Sequence, residues 1–379
     1  MKPNKLPAIM LLEDGTTFMG SECGKHGTAG GEIAFNTAMT GYQEVFTDPS
    51  YHGQLVVMAS VHMGNYGTSI KESESSSAKV AGVIVSQFSD IASRAGEVES
   101  LQDFLERDGI VGICGIDTRQ LVRHIRDNGA MNAVISSEIL DVAELRKHLS
   151  QLPNMAGREL SSEVTASEVY DSGDVRSHEF VALIDFGVKE NIVRCLRERG
   201  MAVRIYPMST SAESVINDQP GGILFSNGPG DPSVMLESMK LVRSLSVSGI
   251  PCFGICLGHQ LLGLAMGLHT EKMHHGHRGI NHPVINILTG KCEITSQNHG
   301  FVISDDDALA KSDVMVTHRH LNDNTIAGIR HKTLPVFSVQ FHPEAAAGPH
   351  DSRYLFDDFT SEMMAYRSSL ITNKNSIDV

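Results

Sequence analysis

The sequence predicts an α/β protein in two parts: a larger domain whose mainly parallel sheet is flanked by helices, preceded by a smaller α+β domain. Three observations carry this. From residue 180 onward, short apolar runs alternate with amphipathic stretches, the pattern of parallel strands and crossover helices. Before residue 160 the runs are short, β-branched and broken by Gly, Pro and Asp, with few helical stretches. Between them, residues 161–179 are polar and lack apolar periodicity, which marks a linker. The domains are therefore read as 1–160 and 180–379.

In the second part, "FVALIDFG" (180–187) reads as a buried strand and "VKENIVRCLRERG" as a helix closed by Gly200. "MAVRIYP" is a second strand, and "GGILFSNGPGDP" runs from a third strand into a tight loop. "SVMLESMKLVRSLSVSG" is a helix, "IPCFGI" a fourth strand and "GHQLLGLAMGL" the helix after it. Strands that are apolar along their whole length belong to a sheet covered on both faces. In the first part, "GEIAFNT", "GQLVVMAS" and "VAGVIVSQF" read as strands, and "VESLQDFLERDG" and "DTRQLVRHIRDNG" as helices.

With 379 residues the chain is long enough for two cores. Its 41% apolar and 20% charged content is that of a globular protein. A net charge of −14 without any basic tract argues against a nucleic-acid partner. The amino-terminal apolar run is cut short by Glu13 and Asp14, so no signal peptide is read, and the six scattered cysteines are expected as free thiols in a cytoplasmic protein. Residues 244–270 contain no Asp, Glu, Lys or Arg, but Pro251, several glycines and His259-Gln260 interrupt them; a strand-turn-helix is expected there rather than a membrane span.

"FGICLGHQ" (253–260) raises a chemical question: why hold Cys256 between Gly254 and Gly258, where a strand gives way to a helix? This G-x-C-x-G arrangement is the thiol counterpart of the serine nucleophile elbow. The glycines let a cramped turn form, and the helix N-terminus favours a thiolate and can hold an oxyanion. A buried structural cysteine is the alternative, and the elbow pattern outweighs it. A thiolate nucleophile needs a base and a group that orients the base. "VFSVQFHPEA" offers both, because in extended chain residues two apart share a side, which lets Glu344 reach His342. "SNGPGDP" (226–232) is either a plain loop or a turn that presents backbone N–H groups to an anion. No phosphate-binding G-x4-G-K-[ST] loop occurs.

Taken in order, "SNGPGDP", "GICLGHQLL" and "FHPEA" resemble the class I, triad-type glutamine amidotransferase family over roughly residues 180 to 368. The resemblance implies hydrolysis of the glutamine side-chain amide through a glutamyl thioester on Cys256, with His342 as general base and acid and Glu344 orienting it. The first part, through "GEIAFNTAMTGYQEVFTDPSYHGQ", "GNYGT" and "GIDTRQLVRHIRDNGAMNAVI", is similar to the amino-terminal domain of the carbamoyl-phosphate synthase small-subunit family. "GHRGINHPV" and "QNHGF" are similar to that family too, so the likeness spans the chain.

The resemblance implies glutamine contacts from Ser50, Gly228, Gly230, Leu257, Gln260, Asn298, Gly300 and Phe301, with the N–H groups of Gly230 and Leu257 as oxyanion donors. It implies no cofactor and no metal on this chain. The implied partner is a large subunit that uses ATP with Mg2+ or Mn2+, forms a heterodimer or a higher oligomer of it, and receives the ammonia through a tunnel. Three departures from the family pattern stand out: Ala346-Ala347 in place of Ser-Pro, His275 in place of an aromatic, and Glu190 in place of a basic residue.

Two other readings compete. One is the amidotransferase subunit of another synthetase, or a stand-alone amide hydrolase. The other is a metal-binding protein using His274, His275, His277 and His282, although Arg278 lies among them and no Cys or carboxylate completes a regular ligand spacing.

Overall fold

The structure, a computed structural model, describes residues 5–96, 98–306, 309–310 and 313–377, the side chains of 373–377 excepted. These residues form two compact units. The first runs to Arg158 and takes in His274–Gly279; the second comprises Glu159–Met273 and the chain from Ile280 onward.

Seven strands of the first unit close into a barrel, in the order Pro7–Leu12, Thr17–Gly24, Val111–Cys114, Gly82–Val85, Gln54–Met58, Thr28–Asn36 and Asn132–Ser136. The last pairs back on the first, so no edge is left open. Ile33, Leu55, Val57, Ile84, Ile113 and Ile135 are fully buried together, and each contributes about 1.5–3 kcal/mol by leaving water. Both helices read from the sequence are present, at Leu101–Arg107 and Thr118–Asn128. Ser100 caps the first by accepting from the Asp103 N–H, and Asp117 caps the second by accepting from that of Gln120. Two further helices, Tyr42–Thr47 and Val142–Leu149, are too short to show a period in the sequence.

The second unit holds a ten-stranded sheet, in the order Tyr170–Ser172, Ala202–Pro207, Phe180–Asp185, Gly222–Phe225, Cys252–Ile255, Val336–Val339, Ile326–His331, Val314–His320, Thr270–Asn286 and Cys292–Ile303. The five strands from Ala202–Pro207 to Val336–Val339 are parallel. Alternate side chains of one strand feed opposite cores. Val181 and Leu183 pack with Ile192, Leu196 and Phe356, whereas Ala182 and Ile184 pack with Val242, Leu245 and Leu261. Helices therefore cover both faces, as the unbroken apolar runs require.

One sequence expectation meets a different structure here. Residues 161–179, read as a linker, carry a 3-10 turn at Ser161–Glu163 and the edge strand Tyr170–Ser172, which pairs antiparallel with Ala202–Pro207. Backbone hydrogen bonds at a sheet edge need no apolar pattern, so polarity did not reveal them. Beyond Val336–Val339 the sheet continues in antiparallel strands, Ile326–His331 and then Val314–His320. Residues 244–270 fold as the end of a helix, the strand Cys252–Ile255 and the helix Leu257–Ala265. Among the described residues no helix is long and apolar enough to cross a membrane.

Candidate active site

Four parallel strands, Phe180–Asp185, Gly222–Phe225, Cys252–Ile255 and Val336–Val339, end in adjacent registers. The crevice beyond the carboxyl ends of such strands is where open α/β sheets gather functional groups.

Cys256 follows the third of these strands and precedes the helix Leu257–Ala265, with φ 53° and ψ −102°. A non-glycine residue in that region stores about 1–3 kcal/mol of strain, which the surroundings must hold. Here Cys256 N–H donates to the Val339 carbonyl at 2.9 Å, and the Gln260 N–H donates to the Cys256 carbonyl at 3.1 Å. The flanking glycines are steric necessities. A Cβ on Gly258 would stand 2.2 Å from the Phe225 carbonyl oxygen, and one on Gly254 would stand 2.6 Å from the Leu262 side chain. The Cys256 thiol is 3% exposed and lies 3.5 Å from the Asn298 carbonyl, to which it donates.

His342 lies just past the fourth strand, its N–H donating to the Ser296 carbonyl at 2.9 Å. Its ring Nδ1 donates to Oε1 of Glu344 at 2.7 Å, which fixes the tautomer. Its Nε2 is buried without a hydrogen-bond partner of ordinary geometry, yet the ring is close enough to Cys256 for a charged sulfur to act on it. Burial and Lys189 both work against the imidazolium; Glu344 and Cys256 outweigh them, and the imidazole pKa is raised. Burial would likewise push the Glu344 carboxyl up, but Lys189 and His342 win and hold it down to about 2. Glu344 is fully buried, and its carbonyl accepts from the Asn191 side-chain amide.

Lys189 was missed in the sequence reading. Its Nζ lies 2.5 Å from Glu344 Oε1, and its own N–H donates to Asn227 Oδ1 at 3.0 Å. It is also the N-cap residue of the helix Glu190–Glu198. A cation there opposes the helix dipole, and that local misfit was the available signal. Gln340 was missed as well; its Nε2 lies 3.7 Å from the Cys256 sulfur.

Of the other second-unit candidates, the structure places Leu257, Gln260 and Asn298 at this centre. Leu257 opens the helix behind Cys256. Gly228 sits where a Cβ would be 2.2 Å from the Phe186 carbonyl oxygen, and Gly230 has φ 98°, so both need glycine. Gln260 donates to the Phe301 carbonyl at 2.7 Å, tying the helix to the strand Cys292–Ile303, which carries Asn298, Gly300 and Phe301. Ser50 belongs to the first unit, in the 3-10 turn Pro49–Tyr51, where its N–H donates to Asp48 Oδ1 at 2.9 Å. His275, noted as a departure, stacks on Phe35 at 5.8 Å between centroids, so the imidazole supplies a flat ring. Glu190 begins its helix, where a negative charge suits the dipole. Of the other histidines considered as ligands, His282 faces His320, Nδ1 to Nε2, at 3.0 Å; a structural zinc would need four ligands, so this pair alone would not complete such a site.

A sulfur at a helix N-terminus, beside an imidazole fixed by a buried carboxylate, is equipped for acyl transfer through a thioester. Comparison with known proteins agrees. Residues 182–361 match the family model for glutamine amidotransferase class-I, and residues 10–135 match that for the carbamoyl-phosphate synthase small chain, CPSase domain. The carbamoyl phosphate synthase small chain of Thermosynechococcus vestitus is 47% identical, over 95% of this chain and 97% of its own length. That of a Nostoc species is 48% identical over 94% and 95%, and that of Syntrophotalea carbinolica 45% identical over 96% and 100%. The chain belongs to the carbamoyl phosphate synthase small chain family and carries the glutamine amidotransferase activity of that enzyme.

Proposed function

We propose that Cys256, His342 and Glu344 act together to hydrolyse glutamine, and that the ammonia passes to a large ATP-dependent subunit, which makes carbamoyl phosphate from bicarbonate. The observation that carries this reading is the buried line of Glu344, His342 and strained Cys256 at the ends of adjacent strands.

The Cys256 thiolate attacks the side-chain carbonyl carbon of glutamine. The resulting oxyanion is held by the N–H groups of Gly230 and Leu257, while Gly228, Gln260, Asn298, Gly300 and Phe301 hold the rest of the substrate. The imidazolium of His342 gives its proton to the amide nitrogen, the C–N bond breaks and ammonia leaves. His342 then takes a proton from water, whose oxygen attacks the thioester and releases glutamate and the thiolate. Glu344 keeps the ring in one tautomer and stabilises its charged form throughout.

Ammonia set free in water would largely protonate and lose its nucleophilicity, which gives a sequestered route to the partner its chemical purpose. The full-length likeness, including residues 10–135, supports the carbamoyl phosphate synthase small chain role over that of another synthetase's amidotransferase. The chain itself needs no cofactor in this scheme; ATP and a divalent cation serve the large subunit. A cytoplasmic heterodimer, or a higher oligomer of it, feeding arginine or pyrimidine synthesis completes the reading.

Acid-quenching the full chain with radiolabelled glutamine should trap label on the parent and none on Cys256→Ser, which should also lose hydrolysis. Hydrolysis at the parent rate by Cys256→Ser would refute the nucleophile. Strong stimulation of hydrolysis by the large subunit with bicarbonate and ATP is the expected sign of partnership.

A further inference from the structure

The scheme above leaves one group at the sulfur without a task. Gln340 is 1% exposed, and its Nε2 lies 3.7 Å from Cys256 Sγ, within reach of an N–H to sulfur hydrogen bond. Its position is fixed from two directions. Its Oε1 accepts from Gln260 Nε2 at 3.0 Å, and its backbone N–H donates to the Ala327 carbonyl at 2.9 Å. Gln260 is itself anchored on the Phe301 carbonyl at 2.7 Å, so the amide cannot turn its donor away without breaking that contact.

We propose that Gln340 is a further catalytic residue: its side-chain N–H donates to the Cys256 sulfur and stabilises the thiolate, both as the nucleophile and as the group expelled when the thioester is hydrolysed. This rests on the glutamine-hydrolysis reading above. A hydrogen bond to an ionised acceptor is stronger than one to a neutral acceptor, so a donor aimed at sulfur favours the thiolate over the thiol. Because Gln260 already holds the amide in place, no reorganisation accompanies the charge. The other groups acting on the sulfur divide by sign. The Asn298 carbonyl accepts from Sγ and so favours the thiol. The helix N-terminus and His342, with Glu344 and Lys189 behind it, complete the charged and polar surroundings. Gln340 is thus an uncharged donor opposing the Asn298 carbonyl, and it keeps its effect whatever the charge on His342.

The test is the pH dependence of Cys256 alkylation by iodoacetamide in the full chain, with Cys256→Ser used to subtract reaction at other thiols, the exposed Cys292 among them. Gln340→Met removes the donor at similar volume and adds no charge. Its alkylation midpoint should rise by about one pH unit, the equivalent of a weak hydrogen bond to a charged group, and kcat should fall at least tenfold. Gln340→Glu keeps an acceptor for Gln260 while losing the donor, so its KM for glutamine should stay within about threefold of the parent as kcat falls. Gln260→Leu, which frees the amide to turn, should move the midpoint in the same direction by less; it serves as the decisive variant if Gln340→Met does not fold. A purely structural role would lower the melting temperature and leave the midpoint in place. A midpoint unchanged in Gln340→Met, or in Gln260→Leu where that variant decides, overturns the inference, whereas glutamine hydrolysis surviving in Cys256→Ser would overturn the underlying reading instead.

Discussion

Lys189 Nζ and His342 Nδ1 converge on one atom, Oε1 of Glu344, at 2.5 and 2.7 Å. The carboxylate is fully buried and the lysine nearly so, which makes this an ion pair in a low-dielectric setting. Removing one partner of such a pair leaves the other as an uncompensated buried charge. Lys189→Met should therefore cost about 3–5 kcal/mol of stability, read by urea unfolding. Its effect on activity has a definite sign. Lys189 holds the Glu344 carboxyl down, so without it the carboxyl titrates higher. The acid limb of kcat/KM should move to higher pH, and an unmoved limb would show that Lys189 only supports the fold.

Stability around this cluster has a worked pH dependence as well. The Glu344 pKa is depressed, so its contribution is present above the ordinary carboxylate value of about 4.3 and fades as pH falls toward 2. The His342 pKa is raised, so its contribution is full below about 6.5 and is lost as pH climbs through its folded value. Glu344→Gln should weaken the alkaline part of this dependence, since Glu344 is the larger of the two groups that favour the imidazolium. Melting temperatures of parent and variant should converge as pH rises from 7 to 10; curves that stay parallel would contradict the coupling.

Gly258 tests the steric account of the elbow. Its missing Cβ would collide with the Phe225 carbonyl oxygen, a backbone atom that cannot step aside. Gly258→Ala should cost about 1–3 kcal/mol and reduce glutamine hydrolysis sharply, since any relief displaces Cys256. Gly249 is the control: it has φ 82° and open space around its hydrogen, so Gly249→Ala should cost only about 1 kcal/mol and leave hydrolysis near the parent value. Equal losses of activity in both variants would refute the elbow argument.

What could be read from the sequence follows from how local each signal is. The strands around Leu183, Leu224 and Phe253 carry no polar side chain but the terminal Asp185 because both faces are covered, and the elbow glycines stand within two residues of the cysteine they serve. Glu344 was legible because it lies two residues from His342. Lys189 was not, because 155 residues separate it from Glu344 and only the sheet order brings them together. The barrel closure between Pro7–Leu12 and Asn132–Ser136 was hidden for the same reason. The edge strand at Tyr170 was concealed by its polarity, since ladder hydrogen bonds leave no trace in hydropathy.

His259 and His318 supply the last prediction, because both are buried as neutral rings. His259 is fully buried with Nδ1 2.9 Å from Ser338 Oγ, and burial, aided by His318, drives its pKa down to about 3. Burial brings His318 to about 4. In the unfolded chain each would take up a proton near pH 6.5, whereas the folded protein takes up none until well below that. The unfolded state therefore binds more protons between about pH 4 and 6.5, and stability must fall as pH is lowered through that window. Each residue contributes a slope of at most about 1.4 kcal/mol per pH unit. His318→Gln gives up the hydrogen bonds of Nδ1 to Thr317 and Nε2 to Tyr354, and so lowers stability near neutral pH. Its diagnostic effect is on the slope: plotted from urea unfolding between pH 5 and 6.5, stability should decline less steeply than in the parent. An unchanged slope would mean that His318 takes up its proton in the folded protein as readily as in water.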